Sequence, residues 1–163
     1  MKRYAVFSAA GFLLWLVLAA LSPLAFAAGA GAPQKARAFA PGADSITGTW
    51  LTEKGDAQVM FYKKDCRYLG KLAWLKEPND ENGRPNLDEK NPDPRLRGRT
   101  VLGLVIIHAV YIGDNLWEGS VYDPDNGKTY GCTIRLAAPD AMRLRGYWGI
   151  SLLGRTETWK RVK

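Results

Sequence analysis

The sequence predicts an all-β domain, an eight-stranded up-and-down antiparallel barrel with a two-sheet sandwich as runner-up. Three observations lead there. Segments of strand length follow one another through short turns, and no convincing helix occurs after the first residues. The stretch Trp117 to Leu136, WEGSVYDPDNGKTYGCTIRL, reads as a hairpin around Asp123-Pro124-Asp125-Asn126-Gly127. In that turn Pro presets one dihedral, Asn accepts a local hydrogen bond and Gly takes the positive φ. Glycines recur inside strands at Gly48, Gly70, Gly103, Gly119, Gly131, Gly146 and Gly154, as expected where a sheet must curl on itself.

The chain has 163 residues and a formal net charge of +7. Met1-Lys2-Arg3, an apolar run from about Val6 to Ala20, and small residues at Ala25-Phe26-Ala27 form a secretory signal pattern over residues 1–27. The run is short for a membrane span of about 20 residues, and Pro23 interrupts it. Cleavage near Ala27 is therefore expected, giving a periplasmic or secreted protein with no membrane span. Removing Lys2 and Arg3 lowers the charge of +7 to +5, which suits plain solubility as well as an anionic envelope. No nucleic-acid partner is expected. Residues 28–44 are Ala-, Gly- and Pro-rich without apolar periodicity and read as a flexible arm, leaving 45–163 as one barrel domain.

The strands are expected at Ile46–Glu53, Ala57–Lys64, Arg67–Lys76, Thr100–Ile112, Asn115–Asp123, on through the hairpin to Leu136, then Met142–Trp148 and Leu152–Val162. Between the third and fourth, Glu77 to Gly98 carries four Pro and almost no apolar residues. A loop of that length is commonly a lid or a binding loop. Strand four is apolar on both faces, so its outer face needs a cover, for which the long loop is the favoured candidate. The interior candidates are Trp50, Trp74, Trp117 and Trp148, with Tyr130 beside them, because eight strands enclose room for side chains or one small ligand.

The motifs GTW at Gly48–Trp50, YLGKLAWL at Tyr68–Leu75, DEKNPDPRLRGR at Asp88–Arg99, WEGSVYDPDNGKTY and LRGYWGISLLGRTETWKR occur together. This set resembles the bacterial envelope family catalogued as domain of unknown function 2147. The resemblance implies a lipocalin-like (calycin) barrel and brings no established activity. It also implies that Trp50 packs near a basic residue of the last strand, with Arg161 the counterpart and Arg155 the alternative.

Chemistry-bearing residues are few. Asp88, Asn91 and Asp93 could converge oxygens on a hard cation, but Arg95, Arg97 and Arg99 oppose that charge, and Asx-turns explain them better. No metal or cofactor is expected. Asp123 and Asp125 are already accounted for by turn geometry. Arg135, Arg143 and Arg145 fall on outer faces and read as a solvated surface. His108, the sole histidine, stands in LVIIHAVY and reads as a packed or hydrogen-bonded residue. Cys66 and Cys132 share inward parity with their neighbours, and a disulfide between them is an open expectation in an oxidising compartment. These residues give no catalytic constellation, so an enzyme is disfavoured and an envelope hydrolase ranks third. The leading expectation is a barrel that binds a small apolar or amphipathic ligand or acts as a scaffold. An interaction module that forms a homo-oligomer or docks an envelope partner comes second.

Overall fold

A computed structural model of the chain describes residues 41–149 and 154–163. Eight strands run β1 Gly48–Leu51, β2 Ala57–Lys64, β3 Arg67–Leu75, β4 Val105–Gly113, β5 Leu116–Asp123, β6 Lys128–Ala138, β7 Ala141–Tyr147 and β8 Gly154–Arg161. Each pairs antiparallel with the next, and β8 returns to β1, so the sheet is a closed up-and-down barrel. Closure removes the unpaired edges of an open sheet. The closing seam is the thinnest ladder, with Trp50 opposite Arg161 and Leu51 opposite Lys160.

Alternation fills the interior. Trp50, Trp117, Trp159, Phe61, Leu72, Ile107, Ile134, Met142 and Leu144 are fully buried and form one core. Side chains of this size each contribute about 1.5–3 kcal/mol when taken out of water. The expected signal segment, residues 1–27, and residues 28–40 of the expected arm lie outside the described residues. The arm's last two residues do not dangle: Ala43 and Asp44 open a 3-10 turn, Ala43–Ile46, that packs at one end of the barrel.

Three departures from strict alternation matter. In β3 the register shifts opposite Gln58/Val59, so Leu72 and Leu75 both face inward and Trp74 is turned out, 41% exposed. A bulge inverts the phase of every residue beyond it. The strand expected from Thr100 starts only at Val105, because Gly103 adopts φ 93° and its N–H bonds Leu72 O instead of continuing a ladder. The connection from β3 to β4 is thus longer than residues 77–98. On β4 the pairing with β3 skips Ile106, Gly70 lying opposite Ile107 and Lys71 opposite Val105, and at this bulge Ile106 is buried beside Ile107 while His108, Val110 and Ile112 are exposed. The long connection meets the neighbouring strand where Asp88 accepts from Tyr122 Oη, and the outer face of β4 at His108, Val110 and Ile112 is left exposed. His108 is not packed away as its apolar setting suggested.

Candidate functional site

The two ends of the barrel are built differently. At the first end, which we call the sealed end, the 3-10 turn lies across the opening. Trp50 Nε1 donates to Ile46 O at 2.8 Å and Trp117 Nε1 to Ala43 O at 3.2 Å. Asp44 accepts from Tyr68 Oη and, at 2.8 Å, from Lys63 Nζ, and these contacts hold its carboxyl below the usual range. Arg161 locks the turn. Its Nη1 and Nη2 donate to Thr47 O and Ser45 O at 2.6 and 2.7 Å, and its Nε to Pro139 O at 2.8 Å. The guanidinium stacks 4.1 Å above the Trp50 ring, a favourable cation–π distance. Gly48 makes room for it: φ is 114°, and a Cβ there would lie 2.7 Å from Arg161 Nη1.

The second end carries the β1–β2 turn, the long loop, the β5–β6 hairpin and the β7–β8 connection. Asp88 is the loop's hub. It is fully buried and accepts from Tyr122 Oη, from Asn91 Nδ2 at 2.8 Å and from Arg99 Nη2 at 2.9 Å. Burial, followed by the bond to Asp88, raises the Tyr122 phenol above its ordinary pKa. Asp93 caps the short 3-10 turn Pro94–Leu96 and pairs with Arg95, while Arg97 Nε donates to Asn91 O at 2.8 Å. The three arginines therefore do not point to one side, as an extended chain would require; each fastens the loop. The hairpin is fastened too. Lys90 Nζ donates to Asp125 O, and Gly127 meets Lys90 O so closely that a Cβ would sit 1.9 Å from it. Asp123 is buried and accepts from Asp125 N and Asn126 Nδ2, and desolvation pushes its carboxyl up to about 6.

Inside this end, on β8, stands Glu157. It is 2% exposed, opposite Leu144 and two residues from Trp159, whose Nε1 donates to Glu157 Oε2 at 3.1 Å. Its Oε1 has no hydrogen-bond partner among the described residues; Arg155 Nε lies 3.8 Å away. Burial raises the Glu157 carboxyl above its usual pKa, with Arg155 and Lys54 opposing that shift and Glu53 adding to it. Lys54 also acts on Asp123, so one cation lies within electrostatic reach of both buried carboxyls. A groove of about 350 Å³ runs along the seam beside them, lined by Leu51, Thr52, Glu53, Lys54, Gly55, Thr158 and Lys160.

The structure places the residues singled out in the sequence unevenly. Trp50 and Trp117 are interior but belong to the sealed end. Tyr130 is partly buried at the loop end, with Trp148 5.6 Å away edge-on. Trp148 is 62% exposed, because β7 stops at Tyr147 and the ring lies beyond the wall rather than inside it. Trp74 is outside for the reason given above. Cys66 and Cys132 are free thiols. Cys66 sits in the β2–β3 turn and is exposed, whereas Cys132 is buried in β6 with its thiol pushed up to about 12, so no disulfide joins them. Glu157 and Trp159 were not singled out. Their period-two alternation with Arg155 and Arg161 was the available signal, masked by the polar composition of RTETWKR.

The family described as "Uncharacterized protein conserved in bacteria (DUF2147)" matches residues 48–161. No curated protein matches the chain. Among solved structures the fold is similar to protein HP1028 from Helicobacter pylori, described as belonging to the lipocalin family, with a TM-score of 0.60 and 23% identity. That likeness covers 72% of this chain and 83% of the other.

Proposed function

The chain belongs to the family of uncharacterised bacterial proteins DUF2147, and on that footing we propose that it is an exported, non-enzymatic lipocalin-like barrel of the cell envelope that holds a small apolar or amphipathic molecule at its loop end. The observation that carries this reading is Glu157. A fully buried carboxyl with one oxygen lacking a hydrogen bond, and held only by an ion pair to Arg155 at 3.8 Å, costs on the order of 1–3 kcal/mol. A bound molecule that donates to Oε1 and lays its apolar part against Trp159 and Leu144 would offset the cost. Export is supported by the basic start, apolar run and small-residue site of residues 1–27.

A second reading, an interaction module, is favoured by one observation: Val110 and Ile112 are exposed on the outside of β4, 41% and 52% respectively. Native mass spectrometry of protein purified from its own envelope fraction separates the two. A retained small mass that disappears in Glu157→Leu supports ligand holding. A dimer without added mass, or a ligand-free monomer, overturns it. Cell fractionation with N-terminal sequencing checks export, and a start at residue 28 is the expected result.

A further inference from the structure

The outer wall formed by β6, β7 and β8 has an unusual charge pattern. Its outward positions are Thr129, Gly131, Thr133, Arg135 and Ala137 on β6, Ala141, Arg143, Arg145 and Tyr147 on β7, and Gly154, Thr156, Thr158 and Lys160 on β8. Four of these are cations and none is a carboxylate. Acidic side chains begin only at the borders, with Glu118 opposite Thr133, and Glu53, whose Oε2 accepts from Thr158 N. Register brings the cations together. Arg135 lies directly opposite Arg143, and Arg145 lies between Thr133 and Thr156 and donates to Thr156 Oγ1 at 3.2 Å.

Like charges directly opposite on adjacent strands destabilise a sheet. The chain has 16 acidic residues with which to relieve the pair, yet the wall uses none. Arg135, Arg143 and Lys160 are exposed, and none forms an ion pair among the described residues. The wall is also broad: neighbouring strands lie about 4.8 Å apart and alternate residues about 6.8 Å. The cations are therefore spread over a sheet surface and do not converge on one pocket. That spacing suits a lateral array of anionic groups, with threonine hydroxyls between the cations as further donors.

We propose that the β6–β8 wall is a docking surface for an anionic lipid bilayer, with Arg135, Arg143, Arg145 and Lys160 set against lipid phosphates. The wall borders the seam groove only at Thr158 and Lys160, while Arg135, Arg143 and Arg145 lie outside its lining.

The test is flotation of the full chain with vesicles of phosphatidylcholine, with and without phosphatidylglycerol. The readout is the ratio between the two vesicles, which removes any affinity that does not depend on anionic lipid. Each cation at an anionic leaflet contributes about fivefold, so Arg143→Glu, a change of two charges, should lower the ratio about 25-fold. The same substitution places a carboxylate opposite Arg135 and should leave the melting temperature unchanged or higher, so lost binding will not reflect lost folding. Lys71→Glu on β3 changes net charge equally on another wall and should lower the ratio far less. Equal flotation with both vesicles, or equal losses in Arg143→Glu and Lys71→Glu, overturns the proposal. So does Arg143-dependent binding of inorganic phosphate or soluble dextran sulfate without vesicle binding, which would assign the wall to free phosphate or to a glycan.

Discussion

At the sealed end a single guanidinium, Arg161, serves three backbone carbonyls and an indole face; at the loop end a single carboxylate, Asp88, gathers a phenol, an amide and another guanidinium. The difference lies in what each hub holds. Arg161 binds main chain on both sides of the closing seam, so its partners cannot leave without the barrel opening. Asp88 mostly binds side chains, which can be lost one by one while the ladders beneath stay intact. The same economy of one charge per end produces a rigid plug in one place and a separable loop in the other.

The largest expected effect comes from breaking the plug. Arg161→Ala leaves three carbonyls without donors and uncovers Trp50, and should cost about 4 kcal/mol in a single unfolding transition read by urea titration. Arg161→Lys should recover less than half of this, since an ammonium has no planar fork. At the other end Asp88→Ala removes a buried charge from its partners and should cost about 3 kcal/mol. Its signature is local: cleavage by trypsin after Lys90, Arg95 and Arg97 should accelerate at temperatures where near-ultraviolet circular dichroism still reports a folded barrel. If the loop and the barrel are lost together, the contrast between the ends is wrong.

Acidity sharpens the comparison. Asp123 has a folded-state pKa near 6 against an ordinary 3.8, so the folded state holds that proton more tightly than the unfolded chain. Its contribution is fully present below about pH 4 and is lost as pH rises through 6, a loss of about 3 kcal/mol. Glu157 acts in the same direction. Urea midpoints should therefore fall between pH 5 and pH 7.5, and Asp123→Asn should flatten that slope even as it weakens the turn. Tyr122→Phe is the mildest probe. It removes one of the partners of Asp88 and should cost about 1 kcal/mol, visible as faster loop proteolysis with little change in melting temperature.

Much of this fold is legible in the sequence because alternation and turn chemistry are local. The Trp117 hairpin and the strand order follow from residues close together in the chain. What the sequence hides is phase. Nothing in YLGKLAWL announces a bulge, yet one extra residue in β3 moves Trp74 from core to surface and Leu75 into its place. The parity argument for a Cys66–Cys132 disulfide fails similarly, because Cys66 lies in the turn where parity has no meaning. The site was harder still. Glu157 sits in a polar run, and its burial depends on Leu144 and Trp159 arriving from the pairing of β7 with β8. The resemblance implied that a basic residue of the last strand would pack near Trp50; the structure puts Arg161 there and leaves Arg155 beside Glu157.

The thin seam between β1 and β8 also sets the order of events in time. Every other ladder joins consecutive strands and can form as soon as its second strand exists, whereas Arg161 reaches Thr47 across 114 residues. Closure is thus the one step with a long separation, and such contacts form slowly because chain entropy is spent before they reward it. A chain emerging from its N-terminus can assemble the meander from β1 through β7 but must leave both outer edges unpaired until β8 arrives with Trp159 and Arg161. Until then it is an open sheet without its plug, competent to be threaded onward or to pair wrongly, and the final ten or so residues decide which.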